Sequence, residues 1–231
     1  PELLDWLASE FVGQGWSLKK MNRLIVLSNA YRMKSAATDV AAEKKDPRNI
    51  YLHRMPVRRL EAEQVRDGLL VVSGRLDSTL YGPSVHPYLM GQDGRGYPPT
   101  GSLDGDGRRT IYQEVRRNFP SLFLMAFDFP TPFTTIGRRT VSNVPAQSLT
   151  LMNSDFVWQQ SEVWADRMLK TQKDASIETK IRFLYETAFA RPPSIAERDV
   201  IQAYLNGKND RTTWTEICHA LYNAKEFIYV F

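Results

Sequence analysis

The chain has 231 residues, enough for one domain of ordinary size that buries its own core. Hydrophobic residues form 42% and charged residues 24% of the chain, and these values argue against a disordered, fibrous or membrane protein. The formal net charge of +4 is too small to indicate nucleic-acid binding, and no apolar run approaches the roughly 18 residues of a membrane span.

Helical periodicity is visible from the first residues. Apolar side chains between Leu3 and Phe11 recur at helical spacing, and Ser17 is placed to cap a second helix. These patterns predict an αα-hairpin. A further helix is predicted over 60–73, where Gly74 supplies the stop.

The middle of the chain differs from both ends in amino-acid composition. Residues 82–107 are rich in glycine and proline, which predicts a long surface loop. After this loop, residues 111–116 alternate like a short strand, and 122–127 could form its buried partner strand. Asp104-Gly105-Asp106-Gly107 begins like a calcium loop, but the arginines that follow favour a plain turn.

Helical signals resume at Pro145, which fits a first helical turn, and at Asp155. Ser176 opens another amphipathic segment, and residues 194–197 and 213–216 match the capping-box pattern. We therefore expect three consecutive helices in the last third of the chain.

Together these patterns predict a mainly α-helical domain with a long glycine-rich loop and a small β element in the middle. The domain is expected to span residues 1–231, with helices in 1–75 and 146–231, and with loop and short strands in 76–145.

The sequence gives little indication of a metal site or a cofactor site. The single cysteine, Cys218, cannot form a zinc ribbon, an iron–sulfur cluster or a Cys-x-x-Cys-His haem attachment within this chain. The three histidines, His53, His86 and His219, are too dispersed to indicate a metal site. We expect no metal and no cofactor in this chain.

Arginine usage is the unusual feature of the composition. No lysine occurs between Lys45 and Lys170, whereas arginine occurs fourteen times between them. A guanidinium group holds carboxylate, sulfate or phosphate bidentately, so two interpretations stay open: structural ion pairs or a site for anions. The carboxylates available for ion pairs are Glu61, Glu63, Asp67 and Asp128. The arginines assigned to an anion site are Arg58, Arg59, Arg138 and Arg139.

Aromatic residues surround these arginines, and they fit either a hydrophobic core or a carbohydrate groove. The leading hypothesis is an accessory or interaction domain that helps to bind an anionic polysaccharide. The alternative is a hydrolytic or redox-coupled enzyme domain with its site near the glycine-rich loop. Its candidate acid–base groups are Asp128, Glu61 and His86, and it requires them to converge on one cleft with Arg58 or Arg138.

Six ordered segments also carry a family resemblance. They read PELLDWLASEFVGQGWSLKKMNRLIVLSNAYR, RRLEAEQVRDGLLVVSGRL, YGPSVHP, RRTIYQEVRRN, FDFPTPFTTIGRRTVSNVPAQSLTLMNSDFV and CHALYNAKEFIYVF. The chain resembles the C-terminal domain of unknown function of planctomycete and verrucomicrobial exported proteins that contain cytochrome c.

This resemblance implies a setting rather than a reaction. It implies an extracytoplasmic location, with haem c on a separate upstream domain, and upstream domains of the same polypeptide as partners. It also implies that the chain is a piece whose domain begins before Pro1. No nucleic-acid partner and no membrane span are expected.

Overall fold

The computed structural model describes residues 1–36, 39–88 and 100–231. Its helices are Glu2–Gly13 (α1), Leu18–Val26 (α2), Val40–Lys45 (α3), Ala62–Ser73 (α4), Leu122–Ala126 (α5), Pro145–Asn153 (α6), Asp155–Thr171 (α7), Ile177–Phe189 (α8), Ile195–Leu205 (α9), Arg211–Tyr222 (α10) and Lys225–Ile228 (α11). Short 3₁₀ turns lie at Gly105–Gly107 and Thr110–Tyr112, and two-residue strands at Arg58–Arg59 (β1) and Tyr229–Val230 (β2) pair as a small sheet. The mainly helical fold is as predicted.

The chain forms two compact units, one of residues 1–58 with 229–231 and the other of residues 59–228. A single domain over 1–231 stays a prediction. No helix in the described ranges is long and apolar enough to cross a membrane.

The first unit contains the predicted αα-hairpin. The Ser17 hydroxyl accepts a hydrogen bond from Lys20 N at 3.4 Å and caps α2. Phe11 packs edge-on against Trp16 at 5.3 Å between ring centroids. None of the residues of α1, α2 or α3 is buried, so this unit has no dry core of its own in its helices.

The core of the second unit lies where α7 packs against α4 and α10. Trp164 of α7 and Tyr222 of α10 are fully buried and their rings lie 4.9 Å apart. The Tyr222 hydroxyl donates to Leu69 O of α4 at 3.1 Å. The predicted apolar stripe of α4 faces this core, and Gly74 ends the helix with a φ of 82°.

The last third contains the three predicted helices, α8, α9 and α10. Ser194 and Glu197 form the predicted capping box of α9. The capping box predicted at 213–216 is wrong, because α10 begins earlier, at Arg211. Asp210 caps α10 instead, by accepting hydrogen bonds from Thr213 N at 3.0 Å and Thr213 Oγ1 at 2.8 Å.

The two strands predicted in the middle of the chain are wrong. Residues 122–126 form helix α5, which the Ser121 hydroxyl caps. Residues 110–112 form a 3₁₀ turn, after which Gln113 makes only an isolated bridge with Val85. Contacts from α4 impose this shape, since Asp67 accepts hydrogen bonds from both Thr110 N and Thr110 Oγ1.

The predicted glycine-rich loop over 82–107 falls partly on residues 89–99, which lie outside the described ranges. Its last residues are not surface residues, because Asp104, Gly105 and Gly107 are buried. The turn predicted at 104–107 is confirmed as a 3₁₀ turn. Gly107 is required there, since its φ is 74° and a Cβ atom would lie 2.2 Å from Arg75 O.

Candidate binding cleft

Two of the four arginines assigned to an anion site are held in ion pairs of the second unit. The Arg59 side chain is 3% exposed, and its Nη2 donates to Asp128 Oδ2 at 2.5 Å and to Phe127 O at 3.3 Å. Arg139 Nη1 lies 2.7 Å from Glu63 Oε2 and 3.0 Å from Glu61 Oε2. These contacts support the first interpretation, structural ion pairs, for Arg59 and Arg139.

The other two arginines, Arg58 and Arg138, are exposed. Neither forms an ion pair or a side-chain hydrogen bond within the part of the chain that the structure describes. They are the members of the predicted set whose guanidinium groups can meet an external anion.

The three candidate acid–base groups lie in separate contacts. Asp128 accepts hydrogen bonds from Arg59 and from Ser142 N, and Glu61 faces Arg139 while it caps α4. His86 Nδ1 lies 2.7 Å from Glu114 Oε2 on an exposed surface. The enzyme hypothesis required these groups to share a cleft, and none of the three lines the large cleft described next.

A cleft of about 640 Å³ lies in the second unit, where the start of α5, the outer face of α6 and the start of α7 meet. This volume is within the roughly 300–1,000 Å³ of small-molecule sites. Its aromatic lining residues are Tyr88, Phe119, Phe123 and Phe156. Its polar lining residues include Gln113, Asn118, Ser121, Thr150, Asn153, Ser154 and Asp155.

Local sequence explains why the cleft opens at this place. Pro145 starts α6, and Ser154 separates α6 from α7 without using its side chain as a cap. The polar side chains at this junction therefore stay available at the surface. Beneath them, Phe123 of α5 packs edge-on against Phe156 of α7 at 5.4 Å between ring centroids.

Arg66 of α4 reaches the cleft wall, and three of its five N–H groups already donate to protein acceptors. Its Nη1 donates to Arg108 O at 2.9 Å and Thr110 Oγ1 at 3.1 Å, and its Nη2 donates to Asp104 O at 2.7 Å. Its Cζ lies 5.7 Å from the centre of the Phe156 ring. Burial lowers the pKa of the Arg66 guanidinium from its ordinary value.

Several other polar side chains of the cleft lack partners within the described residues. Asn118, Asn153 and Asp155 are exposed, and their side chains make no hydrogen bond or ion pair there. Gln113 Oε1 is buried at the wall with no donor. The exposed Asn118, Asn153 and Asp155 side chains are available to a ligand that both donates and accepts hydrogen bonds.

Sequence reasoning missed this cleft because its residues come from five separate segments and none of them forms a motif. The one local signal was the pair Asn153 and Asp155, polar residues placed on both sides of a helix junction. We interpreted Asp155 only as a helix start. Within the described ranges, no group of three or more His, Cys, Asp or Glu residues could hold a metal ion.

The structure defines a mainly α-helical protein with an aromatic, amide-lined cleft in its larger unit. The chain belongs to the family described as PSD1, Protein of unknown function (DUF1553), which matches residues 1–205. This match confirms the resemblance to a domain of unknown function. No curated protein matches the chain, and neither does any solved structure.

Proposed function

We propose that the chain is a non-catalytic accessory domain that binds polysaccharide in the cleft of its second unit. The supporting observation is that aromatic walls and unpaired amide and carboxylate groups line one space of about 640 Å³. A sugar ring has an apolar face and a hydroxylated edge, so it needs both kinds of contact in one place.

Affinity gel electrophoresis with laminarin, galactomannan, heparin and polygalacturonate tests this proposal. Ala146 is exposed on α6 and lines the cleft, so Ala146→Trp should fill the cleft and lower binding at least tenfold. Ala203→Trp on exposed α9 is the matched control and should bind like the wild type. The proposal fails if no polymer slows the wild-type protein, or if Ala146→Trp is slowed equally.

The narrower proposal, that the polymer is anionic, draws its support from Arg58 and Arg138. Both are exposed and neither is engaged by a carboxylate among the described residues. Arg138→Gln should then reduce retention by heparin without changing retention by a neutral polymer. A glycan array that shows no binding of sulfated polymers above background would exclude the anionic version.

We also propose that the domain belongs to an exported protein, where it packs against upstream domains that include a c-type cytochrome. The support is the resemblance, together with membership of the family. Fractionation of the source cells with an antibody against this chain tests the location. A purely cytoplasmic signal would contradict it.

An enzyme near the glycine-rich loop is the second candidate, and one cluster of side chains favours it. Glu114 Oε2 and Arg116 Nη2 both lie 2.7 Å from His86 Nδ1, and such charged neighbours can orient an imidazole for proton transfer. Under this candidate the protein should release reducing sugar from one of the four polymers, and His86→Gln should abolish the release. Absence of any release would remove this candidate.

A further inference from the structure

We infer that the sugar unit in the cleft is uncharged, with its apolar face on the phenylalanine side chains and its hydroxyl groups on Asn118, Asn153 and Asp155. This inference rests on the proposed function and names the ligand class for the same cleft. Any charged substituent of the polymer would then lie outside the cleft.

The charges of the cleft argue for a neutral ligand. Arg66 and Asp155 are the charged side chains among its lining residues within the described part of the chain. Arg66 is 4% exposed and its two terminal nitrogens already donate to three protein acceptors. Among the described residues, the cleft therefore offers no free cation to neutralise a sulfate or a uronate, and transfer of an unpaired anion to these side chains is costly.

Asp155 strengthens this selection. Its carboxylate is exposed in the first turn of α7 and has no cationic partner among the described residues. An ionised carboxylate accepts hydrogen bonds and cannot donate them, so it suits a sugar hydroxyl and repels an acidic sugar.

The amide groups supply the complementary donors. Asn118 and Asn153 are exposed at the cleft, and each offers two N–H donors and one carbonyl acceptor. Hydroxyl groups pair with both kinds of atom. A purely apolar ligand would leave these groups without partners when it excluded water.

Isothermal titration calorimetry with defined hexasaccharides tests the inference. The neutral probes are cellohexaose, laminarihexaose and mannohexaose, and the acidic probe is hexagalacturonate. We expect at least one neutral probe to bind and the acidic probe to bind at least tenfold more weakly. Asn153→Ala should weaken the neutral probe about tenfold, whereas Asn22→Ala on exposed α2 should not.

A charge-removing variant separates electrostatic selection from shape. Asp155→Asn should raise the affinity for hexagalacturonate relative to the neutral probe by about fivefold or more. Asp5→Asn is the matched control, since Asp5 also lies exposed in the first turn of a helix, and it should change neither affinity.

The failures of the two proposals can be told apart. If only hexagalacturonate binds and Ala146→Trp abolishes that binding, the neutral-sugar inference is wrong and the polysaccharide function stands. If neutral probes bind but neither Asn153→Ala nor Ala146→Trp weakens them, the placement in this cleft is wrong. If no saccharide of either charge binds, both proposals are overturned.

Discussion

At the scale of single residues, the buried arginines in the middle of the chain make contacts that lysine cannot make. Arg108 donates from Nη1 to Thr79 O and from Nη2 to Tyr81 O, each at 2.6 Å, and stacks 4.2 Å from the Tyr112 ring centre. Arg66 similarly binds the backbone carbonyls of two loop residues. One ammonium group cannot span such separated acceptors, whereas a planar guanidinium group can.

Arg66→Lys should therefore destabilise the protein although it keeps the charge. A lysine at this position loses at least one of the three hydrogen bonds and leaves buried acceptors without a donor. The expected loss is about 2–4 kcal/mol in the free energy of unfolding, measured by urea denaturation. Arg138→Lys is the control and should unfold at the same urea concentration as the wild type, because Arg138 is exposed. Equal midpoints for Arg66→Lys and the wild type would contradict this account.

Asp128 gives a second test at this scale. Its carboxylate accepts hydrogen bonds from the buried Arg59 and from both Ser142 N and Ser142 Oγ. Asp128→Asn preserves the shape and tolerates the φ of 62°, but it leaves Arg59 as a buried charge without a counterion. We expect a loss of about 3 kcal/mol in thermal or urea unfolding.

Asp174→Asn is the control for Asp128→Asn. Asp174 is exposed, so its substitution should leave the free energy of unfolding unchanged. If both variants were as stable as the wild type, the buried ion pair between Arg59 and Asp128 would make no contribution to stability.

The sequence supplied the carboxylates that pair with Arg59 and Arg139, but not the depth at which each pair lies, and Arg58 and Arg138 have no such partner among the described residues. Glu61, Glu63 and Asp128 were among the predicted carboxylates, and all three contact an arginine of the predicted set. Burial depends on packing between positions 69 residues apart, as in Arg59 and Asp128. No local pattern reports such a contact, and the same reason hid the cleft.

At the scale of elements, the sequence correctly predicted helix starts where all of the interacting groups lie within one helical turn. Ser17, Ser176 and Ser194 cap their helices as predicted, because each serine hydroxyl and the backbone N–H group that donates to it lie three residues apart. The strand predicted at 122–127 failed because apolar residues in a short run fit helix and strand equally. Ser121 decided the outcome by capping α5.

The start of α10 gives a prediction at this scale. Asp210→Ala removes the acceptor for Thr213 N and Thr213 Oγ1, and it should cost about 1 kcal/mol of stability in urea unfolding. Glu216→Gln should cost little, because Glu216 lies inside the helix and its carboxylate accepts a hydrogen bond from the hydroxyl of the exposed Tyr204. A larger loss of stability in Glu216→Gln than in Asp210→Ala would contradict this assignment and would support the capping box predicted at 213–216.

The pH dependence of stability should reveal the contribution of the ion pairs that Arg191 forms with Glu197 and Glu226 beside α9. Arg191 donates to Glu197 and, together with the Ser194 cap, lowers the pKa of Glu197 from 4.5 to about 2. A carboxylate with a lowered pKa stabilises the folded state above its unfolded pKa, and this stabilisation disappears as the pH falls toward the folded value. The cluster is partly exposed, so its contribution at pH 6 should stay below about 1 kcal/mol.

Glu197→Gln tests this window while keeping the capping box, since glutamine also serves at that position. The difference in unfolding free energy between wild type and Glu197→Gln should be largest at pH 6 and should shrink between about pH 4.5 and 2. Urea titrations at pH 6, 4 and 3 measure it. A constant difference across these three values would mean that Glu197 is not held as a carboxylate by Arg191.

At the scale of the whole molecule, the two units differ in how they bury apolar surface. The second unit places fully buried tryptophans in α7 and α10 and a buried stripe in α4. In the first unit, α1, α2 and the turn between them leave large apolar side chains exposed, including Leu4 at 70% and Trp16 at 67%. Since stability comes mainly from buried apolar area, most of it should reside in the second unit.

Hydrogen–deuterium exchange of the intact chain tests this distribution. Amides of α4, α7 and α10 should exchange only through global unfolding, so their protection should fall together when urea is added. Amides of α1 and α2 should exchange faster by at least a hundredfold, because opening the hairpin exposes little additional apolar surface. Equal protection of both sets would show that the hairpin is stabilised as strongly as the core. Its exposed apolar side chains would then need a cover that the contacts within the first unit do not provide.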